Sequence, residues 1–148
     1  MKNKKTLLIS GLLLTVMSIN GYAGLPDEIM KTLEGTSPDY KSLSIRAPEI
    51  AENGAMVNIK IKKMLPLARN EYVSRLNIYS DFRKTRPIAS FKLGSQSVVD
   101  DMKLRIRLRK TSNVYVVAKL NSGRVLAAEK KIKVTIGGCG GTVNKNED

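Results

Sequence analysis

The chain has no histidine and no tryptophan, and it has a single cysteine in 148 residues. The absence of histidine removes the commonest general base of enzymes. The sequence also shows no acid–base pair and no constellation of metal ligands, so we expect no cofactor and no metal. One cysteine cannot form a disulfide within the chain. The group that remains for chemistry is therefore the one thiol.

Aromatic residues are also sparse, at 5% of the chain, whereas 26 Lys and Arg outnumber 13 Asp and Glu. Such an excess attracts anions and acidic partners. We do not expect a nucleic-acid partner, because aromatic residues are few and the chain carries an export signal. The basic residues instead alternate with apolar ones, as in residues 103–109 (KLRIRLR). That alternation is typical of a solvated sheet face.

Residues 1–23 have the pattern of a signal peptide. Lys2, Lys4 and Lys5 precede an apolar run at residues 7–17, and Gly-Tyr-Ala at residues 21–23 is a small-x-small cleavage site. The run is too short for a good membrane span, so we expect no membrane insertion after processing; the alternative is an N-terminal anchor. No arginine pair precedes it, which favours the general secretory route over the twin-arginine route. We expect a periplasmic protein with 23 basic and 13 acidic residues, a net charge of +10.

The remaining chain suits one domain, residues 44–136, preceded by a helical segment at residues 24–43. Pro and two acids in the first turn predict a helix over residues 25–33. Period-two alternation predicts seven strands, at residues 44–47, 56–62, 73–79, 88–93, 102–108, 114–120 and 125–136. Turn residues separate them, and Asn-Ser-Gly at residues 121–123 is typical of a hairpin. The pattern predicts an all-β, immunoglobulin-like antiparallel β-sandwich.

Two runs of strand lysines have two interpretations. Lysines at residues 57–63 and 130–133 are suited to protecting sheet edges against aggregation, or to flanking a partner surface. The sequence leaves both open.

The cysteine lies in a flexible C-terminal arm predicted for residues 137–148. Cys139 is flanked by Gly137 and Gly138 on one side and by Gly140 and Gly141 on the other. Glycines bury nothing and leave the backbone around the sulfur slim. The arm is therefore suited to entering a narrow channel of another protein.

Three segments carry a resemblance to a known family. Residues 47–54 (APEIAENG), 120–128 (LNSGRVLAA) and 134–141 (VTIGGCGG) resemble SoxY, the sulfur-carrier family of the thiosulfate-oxidation system. The resemblance covers residues 45–141. The chain departs from the family pattern in its extension, residues 142–148, and in lacking a twin-arginine signal.

The resemblance implies a carrier rather than an enzyme. Cys139 would hold thiosulfate-derived sulfur covalently, and Gly137, Gly138, Gly140 and Gly141 would let it swing. The implied partners are a SoxZ-like sandwich subunit in a heterodimer, a haem-containing conjugating enzyme, a sulfate-releasing hydrolase and, in some systems, a sulfur dehydrogenase.

The thiol chemistry agrees with this implication. A thiolate is required to form a reversible bond to sulfane sulfur, and an ordinary thiol is only a few per cent ionised near neutral pH. Lys131 and Lys133 lie close in sequence and are candidates to raise the thiolate fraction of Cys139.

The same residues allow two other functions. The first is an exported interaction module whose Cys139 forms an intermolecular disulfide. The second is a peroxidatic redox enzyme, which is disfavoured because no resolving cysteine or base accompanies the thiol.

The signal-peptide pattern gives the first testable prediction. The mature N-terminus is expected at Gly24, because the residues at positions 21 and 23 satisfy the small-residue rule for cleavage. N-terminal sequencing of periplasmic material measures it. Recovery of Met1 in a membrane fraction would contradict both the cleavage site and the expected compartment.

Overall fold

The structure is a computed structural model that describes residues 24–135. Within this span a short helix precedes eight strands. The elements are α1 (Asp27–Lys31), β1 (Leu43–Arg46), β2 (Ile50–Ala51), β3 (Val57–Lys63), β4 (Val73–Ser80), β5 (Ala89–Lys92), β6 (Met102–Ile106), β7 (Ser112–Leu120) and β8 (Val125–Val134). All seven strands expected from the sequence are present, so the all-β prediction is confirmed.

The strands form two sheets of unequal size. The smaller sheet has the order β1-β3-β6, and the larger has the order β2-β8-β7-β4-β5. Every pair is antiparallel except β2 with β8, where Ile50 lies opposite Lys133 in a parallel ladder. The predicted hairpin at residues 121–123 joins β7 to β8, and Gly123 adopts a positive φ of 91° there.

The sequence did not predict β2. This two-residue strand lies inside residues 47–54, where Pro48 and Gly54 indicate a turn. Two residues are too few to show alternation. The chain first contacts β8 at Asp39, which bridges to Leu126, then crosses to the smaller sheet as β1 and returns to β8 as β2.

The main core lies between the sheets. Alternate residues of both inner faces are buried, and the largest fully buried side chains there include Ile59, Ile61, Leu76, Ile78 and Ile132. Strand β3 shows this alternation clearly, since Val57, Ile59 and Ile61 are buried whereas Asn58 is exposed.

A second cluster covers the outer face of the larger sheet. Helix α1 ends at Lys31 with Thr32 as its C-cap, so it is shorter than the predicted residues 25–33, and the turn that follows includes Gly35 with a φ of 81°. Its Ile29 is fully buried against Tyr79, Tyr115 and Val117. Strand β7 is therefore buried on both faces, which explains its nearly continuous apolar run.

The outer face of the smaller sheet is exposed and basic. Arg46, Lys60 and Lys103 lie directly opposite one another across its three strands. Asp101 forms an ion pair with Lys60 at 3.0 Å, and this hydrogen bond holds the pKa of Asp101 below its usual range. Because β3 is the central strand, edge protection is the wrong interpretation of its lysines.

Gly54 brings the two sheets together at one end of the sandwich. Its carbonyl accepts a hydrogen bond from Leu108 N–H at 2.7 Å. A Cβ at Gly54 would lie 2.1 Å from Leu108 O and 2.8 Å from Val134 Cγ1. A side chain therefore does not fit there unless the backbone moves.

Gly54→Ala is expected to destabilise the domain by about 2 kcal/mol or more, because overpacking against backbone forces the sheets apart. Chemical denaturation measures the change in the free energy of unfolding. Gly94→Ala is the matched control: a Cβ at Gly94 meets nothing within 4 Å, so its effect should stay below about 1 kcal/mol. Equal stability of the two variants would contradict the close approach.

Candidate functional site

The site predicted from the sequence lies just beyond the described residues. Cys139 and the glycines Gly137, Gly138, Gly140 and Gly141 are outside residues 24–135. Cys139 follows Thr135, the last described residue, by four positions. The structure therefore describes the segment that precedes the predicted arm, which we call the arm base (residues 133–135).

Three hydrogen bonds hold the arm base. Lys133 N–H donates to Glu49 O at 2.8 Å, and Thr135 N–H donates to Ala51 O at 3.1 Å. Between them, Val134 N–H donates to Thr111 Oγ1 at 3.0 Å. The unpredicted strand β2 thus belongs to the site, since its partner residues are those from which the arm begins.

The arm base also borders a cavity at the end of the sandwich. The cavity lies between the turn at residues 52–55 and residues 107–109, and both Val134 and Thr135 line it. Arg107 and Arg109 contribute two positive charges to its wall, and Glu52 contributes one negative charge. The two arginines are exposed, and they follow the last residue of β6, Ile106.

These two arginines are the functional candidates that the sequence did not single out. The alternation of residues 103–109 indicates a solvated face, and nothing in the sequence places that run beside the arm. The lysines that it did single out lie on β8 itself. Lys133 is exposed and lies two residues before Thr135. Lys131 is also exposed and lines a groove shared with β1.

Asp81 directly follows β4, and hydrogen bonds from β7 of the larger sheet hold its carboxylate. Its carboxylate accepts a hydrogen bond from Tyr115 O–H at 2.9 Å and another from Asn113 N–H at 2.7 Å. Burial and the bond to Asp81 raise the pKa of Tyr115 to about 12. Burial, with Asp81 nearby, also raises the pKa of Glu129. Among residues 24–135, Asp81 forms no ion pair with an arginine.

Within residues 24–135, two kinds of feature are absent: a cluster of metal ligands and a membrane-spanning helix. No three side chains of His, Cys, Asp or Glu lie together in a way that would hold a metal ion. No helix in this span is long and apolar enough to cross a membrane.

Comparison with known protein families gives one match. The model of the family described as sulfur oxidation protein SoxY matches residues 30–139, a span that runs from helix α1 to Cys139 itself. No curated protein sequence matches the chain.

Solved structures show the same fold at low sequence identity. A superoxide reductase (neelaredoxin) from Ignicoccus hospitalis superposes with a TM-score of 0.53 at 17% identity, covering 64% of this chain and 80% of that one. A hypothetical protein from Pyrococcus horikoshii superposes with a TM-score of 0.50 at 9% identity, covering 70% of this chain and 99% of that one. Identities this low show a shared fold and nothing of the chemistry.

Proposed function

This chain belongs to the SoxY family of sulfur oxidation proteins, and from that membership we propose that it is a periplasmic carrier whose Cys139 holds thiosulfate-derived sulfur covalently. The observation that carries the proposal is that the family match extends to Cys139, the single thiol of the chain. Members of this family are carrier subunits that work with partner proteins in sulfur oxidation. The compartment of this chain, its covalent intermediates and its specific partner proteins are part of the proposal.

The first proposed step forms a sulfur–sulfur bond. The thiol and thiosulfate combine as R–SH + S2O3²⁻ → R–S–S–SO3⁻ + H⁺ + 2e⁻, so a two-electron acceptor is required. A haem-containing conjugating enzyme is the acceptor that fits, because the sequence predicts no redox cofactor in the carrier itself. Its contribution is a thiolate, and nearby cations favour that form.

Later proposed steps remove oxidised sulfur and leave the carrier intact. Hydrolysis by a partner gives R–S–S–SO3⁻ + H2O → R–S–SH + HSO4⁻, with both electrons of the cleaved bond retained by the sulfane sulfur. A sulfur dehydrogenase then suits oxidation of that sulfane. The carrier catalyses none of these steps, so what it must supply is a firmly held arm base and an accessible sulfur.

The covalent role predicts that Cys139→Ser abolishes sulfur loading and leaves the fold unchanged, because the residue lies beyond the last strand. Intact mass spectrometry after incubation with thiosulfate and the partner enzymes measures the adduct, and circular dichroism checks the fold. Cys139→Ala should behave in the same way. A wild-type protein that yields only a symmetric disulfide would instead favour the interaction module cross-linked through Cys139.

The channel-access role of the glycines predicts a split in reactivity for Gly138→Val. A β-branched side chain stiffens and widens the arm next to the thiol. The variant should react normally with a small thiol reagent and load at least about tenfold more slowly when partner enzymes supply the sulfur. Deletion of residues 142–148 is the companion variant, since faster loading would mean that the extension obstructs entry. Wild-type enzymatic loading of Gly138→Val would exclude the access argument.

A SoxZ-like sandwich subunit is the proposed stable partner. The outer face of the larger sheet is already covered by α1, whereas that of the smaller sheet is exposed and carries the row Arg46, Lys60 and Lys103. Like charges directly opposite on neighbouring strands are destabilising in isolation. Asp101 already offsets part of that cost through its ion pair with Lys60. A partner surface with acidic residues would offset the remainder, and this supports docking through the smaller sheet.

The partner proposal predicts that the chain co-purifies with a SoxZ-like subunit from native extract. Lys60→Glu with Lys103→Glu should weaken that complex by about tenfold or more, because two attractive charges become repulsive. Lys119→Glu, on the larger sheet, is the matched control and should have little effect. A monodisperse monomer in the presence of the candidate subunit would contradict the proposal.

A further inference from the structure

The part of the alternating run after Lys103, residues 104–109, has no role in the proposed function. Its basic side chains continue past the end of β6, from Arg105 on the strand to Arg107 and Arg109 beyond it. All three are exposed. Arg83, in the connection between β4 and β5, is exposed at the same end of the sandwich, where Ser80 ends β4.

These arginines share one cavity of about 470 Å³. Its polar and charged lining consists of Ser80, Arg83, Arg105, Arg107 and Arg109, with Phe82 and three aliphatic residues completing the wall. No carboxylate lines it. The only hydrogen bonds of these arginines to other side chains in residues 24–135 join Arg105 to Asn58 and to Met56.

None of the four guanidinium groups forms an ion pair within residues 24–135, where the ion pairs involve Lys60 and Arg124 instead. Four cations around one concavity repel one another unless an anion lies among them. Guanidinium is the side-chain group whose planar fork matches the oxygens of an oxyanion, and a hydroxyl such as that of Ser80 adds a donor. A sheet face that is only solvated would not need a concave surface, and lysine would serve there as well as arginine.

We propose that this cavity, which we call the arginine pocket (Ser80, Arg83, Arg105, Arg107 and Arg109), binds a sulfur oxyanion. The chemical class is a sulfonate-type group, –SO3⁻ on sulfur or carbon, as in thiosulfate or in the R–S–S–SO3⁻ adduct. The proposal rests on the proposed function for the identity of the anion. It adds a binding site for the sulfonate group of the adduct on the carrier itself.

The arm base connects the pocket to the thiol. Arg107 and Arg109 line the arginine pocket and also the cavity that Val134 and Thr135 border. Cys139 follows Thr135 by four residues, which span at most about 14 Å when extended. A sulfonate on Cys139 is therefore within reach of a wall that the arm base already borders.

The first experiment measures the charge preference of Cys139 without any partner enzyme. Two methanethiosulfonate reagents are compared, one with an ethylsulfonate group and one with an ethyltrimethylammonium group. Each forms R–S–S–R′ and releases methanesulfinate, so the two reactions differ only in charge. The ratio of the anionic to the cationic rate constant should fall at least about threefold in Arg107→Gln/Arg109→Gln, because the local positive potential is reduced.

Arg75→Gln is the matched control, because Arg75 is exposed on β4 at the opposite end of the larger sheet. It removes the same kind of charge and should leave the ratio unchanged. An equal ratio in the pocket variant and in the control would overturn the proposal. Failure of the wild-type thiol to load thiosulfate-derived sulfur with partner enzymes would instead count against the proposed function, so the two failures are distinguishable.

The second experiment identifies the source of the oxyanion by amide NMR. Thiosulfate is titrated into Cys139→Ser at constant ionic strength, and the ethylsulfonate adduct of the wild type is recorded separately. Shifts at residues 80–83 and 105–109 in the first sample mean that the pocket binds the free anion. Shifts there only in the second mean that it binds the tethered one. Shifts in neither sample would overturn the proposal.

Discussion

The contact of Gly54 with Leu108 and Val134 is the constraint on which the functional end of the molecule depends. It lets the turn before β3, the segment after β6 and the end of β8 meet within van der Waals distance. Without that approach, the arm base would lie at the edge of one sheet, and the arginines at positions 107 and 109 would lie at the edge of the other. A residue without a side chain thereby sets the spacing between the arm base and the arginines at positions 107 and 109.

The two outer faces of the sandwich are used differently, and this asymmetry follows from where the chain places its apolar residues. Ile29 and the tyrosines of β4 and β7 close the larger sheet with material from the same chain. The smaller sheet alternates buried aliphatic residues with exposed cations, and nothing comparable in residues 24–135 covers it. The smaller sheet is therefore the face that we propose for assembly, while helix α1 covers the outer face of the larger one.

Most of the architecture could be predicted from the sequence because period-two burial is strong in this chain. Strands such as β3 and β7 carry enough alternating or apolar residues to be recognised alone. Strand β2 could not be predicted, since Ile50 and Ala51 are defined by pairing with β8 and not by any local pattern. The arginines at positions 107 and 109 were missed for a related reason: proximity to Thr135 is a property of the folded sheets, whereas their spacing in sequence is that of an ordinary exposed strand.

The parallel pairing of β2 with β8 has a mechanical consequence. A pull on the chain beyond Thr135 that is directed along β8 would act on the hydrogen bonds of that strand. Force in that direction loads the hydrogen bonds to β2 and β7 in shear, all together, whereas a pull across the strand would break them one after another. Under the proposed carrier role, this pairing would keep β8 in register while partner enzymes act repeatedly on Cys139.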